Sequence, residues 1–378
     1  MATTGISALL SSEDTPPLIP GYTLLRRIGR GSYGEVWLAR PSDQELVAVK
    51  VVYRKSFDHD RPFERELSGI RKFEPISRTQ PSQVNILAVG VDQPGGYFYY
   101  VMELADDANT TDPASSATSI HQDSEPAQPT ADDSLRYIPK TLQQVLQQRG
   151  PLGFRECLQV SLALGTALDH LHQHGLIHRD IKPSNVIFVR GIPKLADIGL
   201  VTDAGASISY VGTEGFLPPE GPGTPRADLY SLGKVLYEIS TGRDRLDFPE
   251  LPSLVDGGSE KNHLLELNQI ILKACQNDPR RRYQSAQEML ADLRVLEHGR
   301  SVRMLRARQR RLARLRLLAA AVLVLAVLVG AGVLLQRNRK SNKPGKPVVS
   351  VRNCNEKWSP PTTPLGRHSA VGNPRSFC

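Results

Sequence analysis

The stretch IGRGSYGEV sets Gly29, Gly31 and Gly34 in a G-x-G-x-x-G spacing. Such a turn suits a phosphate chain, because residues without a Cβ let the main chain approach phosphate oxygens closely. Dinucleotide-binding domains use the same spacing, but there it opens a helix. Here the strand-like EVWLA follows, and Lys50 ends VAVK sixteen residues after Gly34. A lysine is a point charge suited to phosphates, yet at a strand end it is equally at home in solvent unless an anion holds it. Glu64 and Glu66, on the next helical stretch FERELSGIRKF, are the candidate anions. Further on, HRDIKPSNVIF (His178–Phe188) collects Asp180, Lys182 and Asn185, and LADIGLV adds Asp197 beside Gly199.

In this order the strings resemble the protein kinases, specifically the serine/threonine branch found in bacteria with a C-terminal membrane anchor. The resemblance spans roughly Tyr22 to Leu296. It implies an enzyme that uses ATP and Mg²⁺, with Mn²⁺ as the alternative ion, to phosphorylate Ser and Thr hydroxyls of proteins, itself included. Asp180 would accept the proton of the attacking hydroxyl, Lys182 would neutralise the γ-phosphate, and Asn185 would hold a metal ion. Asp197 would be the second metal ligand, a hard anionic oxygen bridging the ion to the phosphates. Lysine two places after the aspartate is the serine/threonine-type choice. The resemblance favours Glu66 over the exposed alternative Glu64 as the partner of Lys50. Implied nucleotide contacts are Ile28, Gly29, Arg30, Gly31, Ser32, Tyr33, Gly34, Val36, Ala48, Lys50 and Met102. The backbone of Glu103 and Ala105 would bond the base. Thr213 would contact Asp180 and shape the acceptor site, Glu220 would close the activation segment against Arg282, and Asp228 would hold the backbone of the catalytic loop.

Two positions depart from the family pattern. Ile198 stands where phenylalanine is usual, so packing under the Glu66 helix and against His178 is expected to shift. An incomplete repacking of that kind costs about 1–3 kcal/mol. Pro218 stands where alanine is usual; it stiffens the chain, so the shape of the substrate groove is expected to differ from the family's. Ser207, Ser209 and Tyr210 are hydroxyls of the activation segment, and Arg179 is placed to receive a phosphate there.

Periodicity supplies the elements that must position these residues. From Tyr22 to Leu104 the apolar runs YTLLRRIG, EVWLAR, LVAVKVV and GYFYYVMEL predict strands, with one helix between them. From Thr141 the spacing turns helical in TLQQVLQQRG, RECLQVSLALGTALDHLHQHG, ADLYSLGKVLYEISTG and NQIILKACQN. The fold class expected is α+β: a two-lobed protein-kinase fold over 22–297, followed by one transmembrane helix. The strand-rich lobe covers 22–104 and the helical lobe 138–297. Between them, 106–137 is a low-complexity insertion of Thr, Ser, Ala, Asp, Gln and Pro, to which no structure is assigned. Residues 1–21 read as a flexible leader.

Charge sets further limits. The chain of 378 residues carries a net charge of +8, but twelve Lys and Arg with no Asp or Glu lie between Arg303 and Lys346. The basicity is therefore local, and the remainder is acidic. It flanks Leu317–Leu335, nineteen residues without a charge, about 28 Å as a helix and enough to cross a bilayer. Arginines beside a span face lipid headgroups, so a bilayer is the expected partner and nucleic acid is not. Seven arginines precede the span from Arg303 and five basic residues follow it. The bias favours a cytoplasmic kinase domain, a basic juxtamembrane segment at 298–316, and a short polar tail, 336–378, on the far side. No secretory signal is read near Met1. Cys157 and Cys275 read as buried thiols; Cys354 and Cys378 lie beyond the span, where a disulfide is permitted. A homodimer is compatible with activation-segment exchange, and nothing in the sequence supports it. The competing reading is a pseudokinase scaffold, which the joint presence of Lys50, Asp180, Asn185 and Asp197 disfavours.

Overall fold

The computed structural model describes residues 16–31, 33–42, 45–110, 136–197, 202–203, 213–251 and 259–341. The chain divides into two units, Met1–Arg310 and Arg311–Cys378.

The first unit opens with a five-stranded antiparallel sheet in the order β1-β2-β3-β5-β4. Its strands are β1 (Tyr22–Arg30), β2 (Gly34–Pro41), β3 (Val47–Tyr53), β4 (Ile86–Asp92) and β5 (Tyr97–Met102). β3 is the middle strand and is covered on both faces, which is why VAVKVV is an unbroken buried run. The helix α1 (Asp60–Ser77) turns Phe63, Ile70 and Phe73 into the core at helical spacing. β4 was not anticipated among the strands. Gly90 breaks its apolar run, and a Cβ there would lie 2.2 Å from the Tyr99 ring on β5. The cross-strand aromatic takes the space that a side chain would have filled.

The helical part begins with α2 (Leu142–Arg149), closed at its start by a Thr141–Gln144 capping box and at its end by Gly150 at φ 75°. α3 (Phe154–Gln173) buries Cys157, Leu164, Leu168 and Leu171. Then come short strands β6 (Leu176–Ile177), β7 (Val186–Val189), β8 (Ile192–Leu195) and β9 (Thr202–Asp203), paired β6 with β9 and β7 with β8. α4 (Pro225–Thr241) has Thr224 as its cap, proline in its first turn and Gly242 as its left-handed stop. It is buried on nearly every side, as the central helix of the lobe must be. α5 (Ser259–Ala274) and α6 (Ala286–Glu297) complete the bundle. Gly165 of α3 faces Leu290 of α6, and its lack of a side chain is what permits that approach.

The last helix, α7 (Val302–Ser341), starts in the first unit and ends in the second. Its segment Arg314–Leu335, 22 residues, is long and apolar enough to cross a membrane. The expected span 317–335 lies inside it. Cys157 and Cys275 are buried, as expected, whereas Cys354 and Cys378 lie outside the described residues.

Candidate active site

One buried carboxylate organises the loop after β6. Asp228, in the first turn of α4 and 1% exposed, accepts the main-chain N–H of His178 through Oδ2 and that of Arg179 through Oδ1, both at 2.9 Å. His172 of α3 holds Oδ2 from the other side at 2.9 Å. Burial alone would raise the carboxyl's pKa, but the His172 contact, the charge environment and the Arg179 amide hold it below the usual range. The loop so fixed carries Arg179 at φ 73°, a left-handed conformation that a non-glycine residue adopts only when its surroundings impose it.

Asp180 follows. Its Oδ2 lies 2.7 Å from Lys182 Nζ and accepts from Asn185 Nδ2 at 2.9 Å. Its Oδ1 accepts from Thr213 Oγ1 at 3.1 Å, while that hydroxyl accepts from Lys182 Nζ at 2.9 Å. Asn185 also donates to the Asp180 carbonyl, which leaves Oδ1 as its unused acceptor among the described residues. The Asn185 carbonyl in turn accepts the N–H of Ala196 at 2.9 Å, setting Asn185 beside the backbone leading to Asp197. His178, fully buried, meets the Ala196 carbonyl through Nε2 at 3.1 Å, and burial lowers its pKa.

Asp197 has φ 58° and a side chain 38% exposed, so a charged oxygen remains open to a ligand. It forms an ion pair with Lys50, which is buried on β3 with its ammonium over the Tyr100 ring at 5.9 Å. Burial opposes the charge on both groups. The pair overrides it, raising Lys50 and lowering Asp197. The expected Lys50–Glu66 pair is not formed. Glu66 comes to the same place, 4% exposed on α1, but its Oε1 has no partner among the described residues. Desolvation pushes its pKa to about 8, against the attraction of Lys50 and with the repulsion of Asp197. Glu64 is exposed.

Two hard oxygen donors, Asp197 and Asn185 Oδ1, suit Mg²⁺ better than a softer ion. No group of three or more His, Cys, Asp or Glu that could hold a metal occurs among the described residues. A metal held by these two would take its remaining ligands from phosphate and water, as Mg²⁺ ordinarily does.

The glycine-rich turn joins β1 to β2. Gly34 has no room for a side chain, since a Cβ would lie 2.0 Å from the Val51 carbonyl of β3. At Gly31 the space is open, with only the Gly34 carbonyl near at 3.8 Å. So Gly34 answers to the sheet, and Gly31 is the one free to answer to a ligand. Gly29 and Arg30 end β1, Ile28 and Val36 pack partly buried against the core, and Tyr33 stacks on Phe57 at 4.6 Å. Ala48 and Met102 are buried neighbours across β3 and β5. Ser32, Ile198, Gly199, Ser207, Ser209 and Tyr210 lie outside the described residues.

After Met102 the connector runs through Glu103 and Ala105. The Glu103 carboxylate accepts the Asn85 N–H at 2.8 Å and lies 2.5 Å from Lys194 Nζ of β8. Its N–H donates to the Asn85 carbonyl at 3.2 Å, and Tyr137 donates its hydroxyl to the Ala105 carbonyl at 3.0 Å. The Glu103 carbonyl and the Ala105 N–H make no hydrogen bond among the described residues. Farther off, Arg282 grips Glu220 with two N–H groups at 2.5 and 2.8 Å, the pairing expected of these two. Pro218 lies in the turn before Glu220, its carbonyl accepting the Gly221 N–H at 2.9 Å.

Sequence reasoning missed His172, Asn85, Lys194 and Tyr137. Each touches a residue that was picked out, but from a distant place in the chain. The first three are ordinary polar residues with no spacing to mark them. Tyr137 offered a signal: it is the one aromatic in the insertion, beside a helix start.

Residues 134–293 match the protein kinase domain family. A probable serine/threonine-protein kinase of Clostridium perfringens is 28% identical over 300 residues, covering 73% of this chain and 38% of the relative. The serine/threonine-protein kinase PrkC of Bacillus subtilis is 28% identical over 299 residues, 72% of this chain and 40% of its own. PknB of Mycolicibacterium smegmatis, also a serine/threonine-protein kinase, is 34% identical over 181 residues, 42% of this chain and 29% of its own. The chain thus spans about two fifths of the length of the first two relatives.

Proposed function

We propose that the chain is a protein kinase of the bacterial serine/threonine type, which transfers the γ-phosphoryl group of ATP to Ser and Thr hydroxyls of proteins, itself among them. The observation that carries this reading is the knot of Asp180, Lys182, Thr213 and Asn185, fixed from beneath by Asp228. A carboxylate held by an ammonium, a hydroxyl and an amide is oriented before any substrate arrives. In phosphoryl transfer, positioning and charge neutralisation supply most of the rate.

In this reading an incoming hydroxyl replaces the Thr213 contact or shares Asp180 with it, and gives its proton to the Asp180 carboxylate. Lys182, already between Asp180 and Thr213, meets the charge on the transferring group. Lys50 orients the α- and β-phosphates. Asp197 and Asn185 hold Mg²⁺, which when bound draws charge from the phosphate oxygens. The base is read by the two connector groups left unused, the Glu103 carbonyl and the Ala105 N–H. An acceptor followed by a donor complements adenine, whose N6 amino group donates and whose N1 accepts. Guanine offers the reverse order on the same edge.

The helix at Arg314–Leu335 anchors the protein in a bilayer, with the kinase domain in the cytoplasm beside the arginine-rich turns and the tail on the far side. The test is transfer of label from γ-labelled ATP to a generic basic protein by the full chain in detergent, against Asp180→Asn. Equal label from both proteins overturns the reading. Nucleotide-dependent stabilisation without transfer leaves a nucleotide-binding scaffold instead.

A further inference from the structure

Tyr137 lies 32 residues beyond Ala105, at the returning end of the insertion, yet it is 7% exposed and its hydroxyl sits on the Ala105 carbonyl. Several contacts keep it there. The guanidinium of Arg26 on β1 donates to the Tyr137 carbonyl. Asp107 Oδ1 accepts the N–H groups of Asn109 and Ile138, both at 3.0 Å, and the Ala108 N–H donates to the Ile138 carbonyl at 2.8 Å. Asn109 Nδ2 reaches the Arg136 carbonyl at 2.8 Å. The two ends of the insertion are therefore zipped together beside the connector. Burial keeps the Tyr137 phenol protonated, and Asp107 and Asp106 reinforce that against Arg26, so it stays a donor.

Without Tyr137 the connector would offer a row of three groups: the Glu103 carbonyl, the Ala105 N–H and the Ala105 carbonyl. With it, the third already accepts one hydrogen bond, and a further donor would have to share that oxygen with the buried phenol. We propose that Tyr137 is a specificity-determining residue of the base site, limiting recognition to a two-point edge and refusing the extra donor of bases and flat heterocycles that present donor, acceptor and donor in sequence. The proposal rests on the adenine-nucleotide reading of the connector.

The probe is a pair of nucleotides differing by one amino group, ADP and its 2,6-diaminopurine counterpart, whose 2-amino group would point at the Ala105 carbonyl. Affinities are measured with Mg²⁺ on the full chain in detergent. The parent protein should gain little from the amino group. Tyr137→Phe keeps the ring and frees the carbonyl, and should shift the preference toward the diaminopurine nucleotide by about 3- to 10-fold, the worth of one neutral hydrogen bond. Arg26→Gln loosens the strand contact without touching the connector, and should move the ratio the same way by less. An unchanged ratio in Tyr137→Phe, or an equal preference already present in the parent, overturns the proposal. Failure of the parent to bind either nucleotide overturns the base-site reading beneath it as well.

Discussion

The ammonium of Lys50 rests on the carboxylate of Asp197, while Glu66, the other acid brought to it, keeps an oxygen with no partner among the described residues. The consequence is a pH dependence of known sign. Glu66 shifts from an ordinary 4.5 to about 8 because burial disfavours its charge. Between those values the folded protein holds a proton that the unfolded chain has released. The stabilisation is therefore complete below the lower value and is lost as pH rises through the upper one. The melting temperature of the nucleotide-free protein should fall from about pH 4.5 to about pH 8 and level off above, and Glu66→Gln should flatten that fall. Parallel curves for the two proteins would mean that Glu66 is already ionised and paired. Nucleotide with Mg²⁺ should also flatten the curve, since drawing Asp197 to the metal frees Lys50 for Glu66.

Thr213 both donates to Asp180 and accepts from Lys182, so among the described residues it is the one neutral group spanning that pair. Thr213→Val keeps the shape and removes both bonds. A hydrogen bond to a charged group contributes about 1.5–3 kcal/mol, which predicts a loss in kcat of roughly 10- to 100-fold. Thr213→Ser should retain most activity. Loss of the carboxylate proposed to accept the proton, in Asp180→Asn, should cost more, about 10²- to 10⁴-fold. Equal kcat for the Val and Ser variants would remove the hydroxyl from the mechanism.

The glycines of the turn should separate by phenotype. Gly34→Ala drives a methyl against the Val51 carbonyl, and the backbone of the middle strand must give way. Overpacking of this kind costs about 1–3 kcal/mol, so its unfolding midpoint should drop with or without nucleotide. Gly31→Ala meets open space, so the nucleotide-free melting temperature should hold while affinity for MgATP falls. The same effect on both measurements in both variants would contradict the distinction.

What was legible in the sequence follows from how local each cause is. Lys50, Asp180, Asn185, Asp197 and Asp228 stand in strings whose spacing is the message, and the helices were marked by periodicity and by stops such as Gly150 and Gly242. The Glu220–Arg282 pair crosses 62 residues and was still accessible through resemblance. The choice of Lys50 between two acids, one buried and one partly exposed, was not. It depends on the backbone at Asp197, whose φ of 58° aims the carboxylate, and no residue type announces that conformation. The insertion was read as featureless from its composition, yet Asp106 caps the N–H groups of Arg190 and Gly191 at 2.6 and 2.8 Å, and Asp107 fastens its neck. Aspartates in a polar run look like solvated charge until the turn they cap is known.

Arg282 gives the sharpest test of what shapes the acceptor side. Its side chain has no exposed surface; Nε donates to the Gln276 carbonyl at 2.5 Å, Nη2 to that of Asn277 at 3.1 Å, and both terminal nitrogens to Glu220. The Tyr230 ring lies 4.8 Å from the guanidinium. Glu220→Gln leaves a buried cation with neutral acceptors, which should cost about 3 kcal/mol of stability in denaturant unfolding. Replacing both residues with methionine removes the uncompensated charge and should recover part of that loss. Activity should not recover with it. The turn at Glu214–Phe216 that follows Thr213 is tied to α4 by the Ser231 bond to the Phe216 carbonyl at 2.8 Å, and Glu220 fixes the other end of the same segment. With that end released, Thr213 should lose its register on Asp180, and kcat should stay low in the stable double variant. Costs that simply add in the double variant, or full activity there, would mean that the pair does not position Thr213.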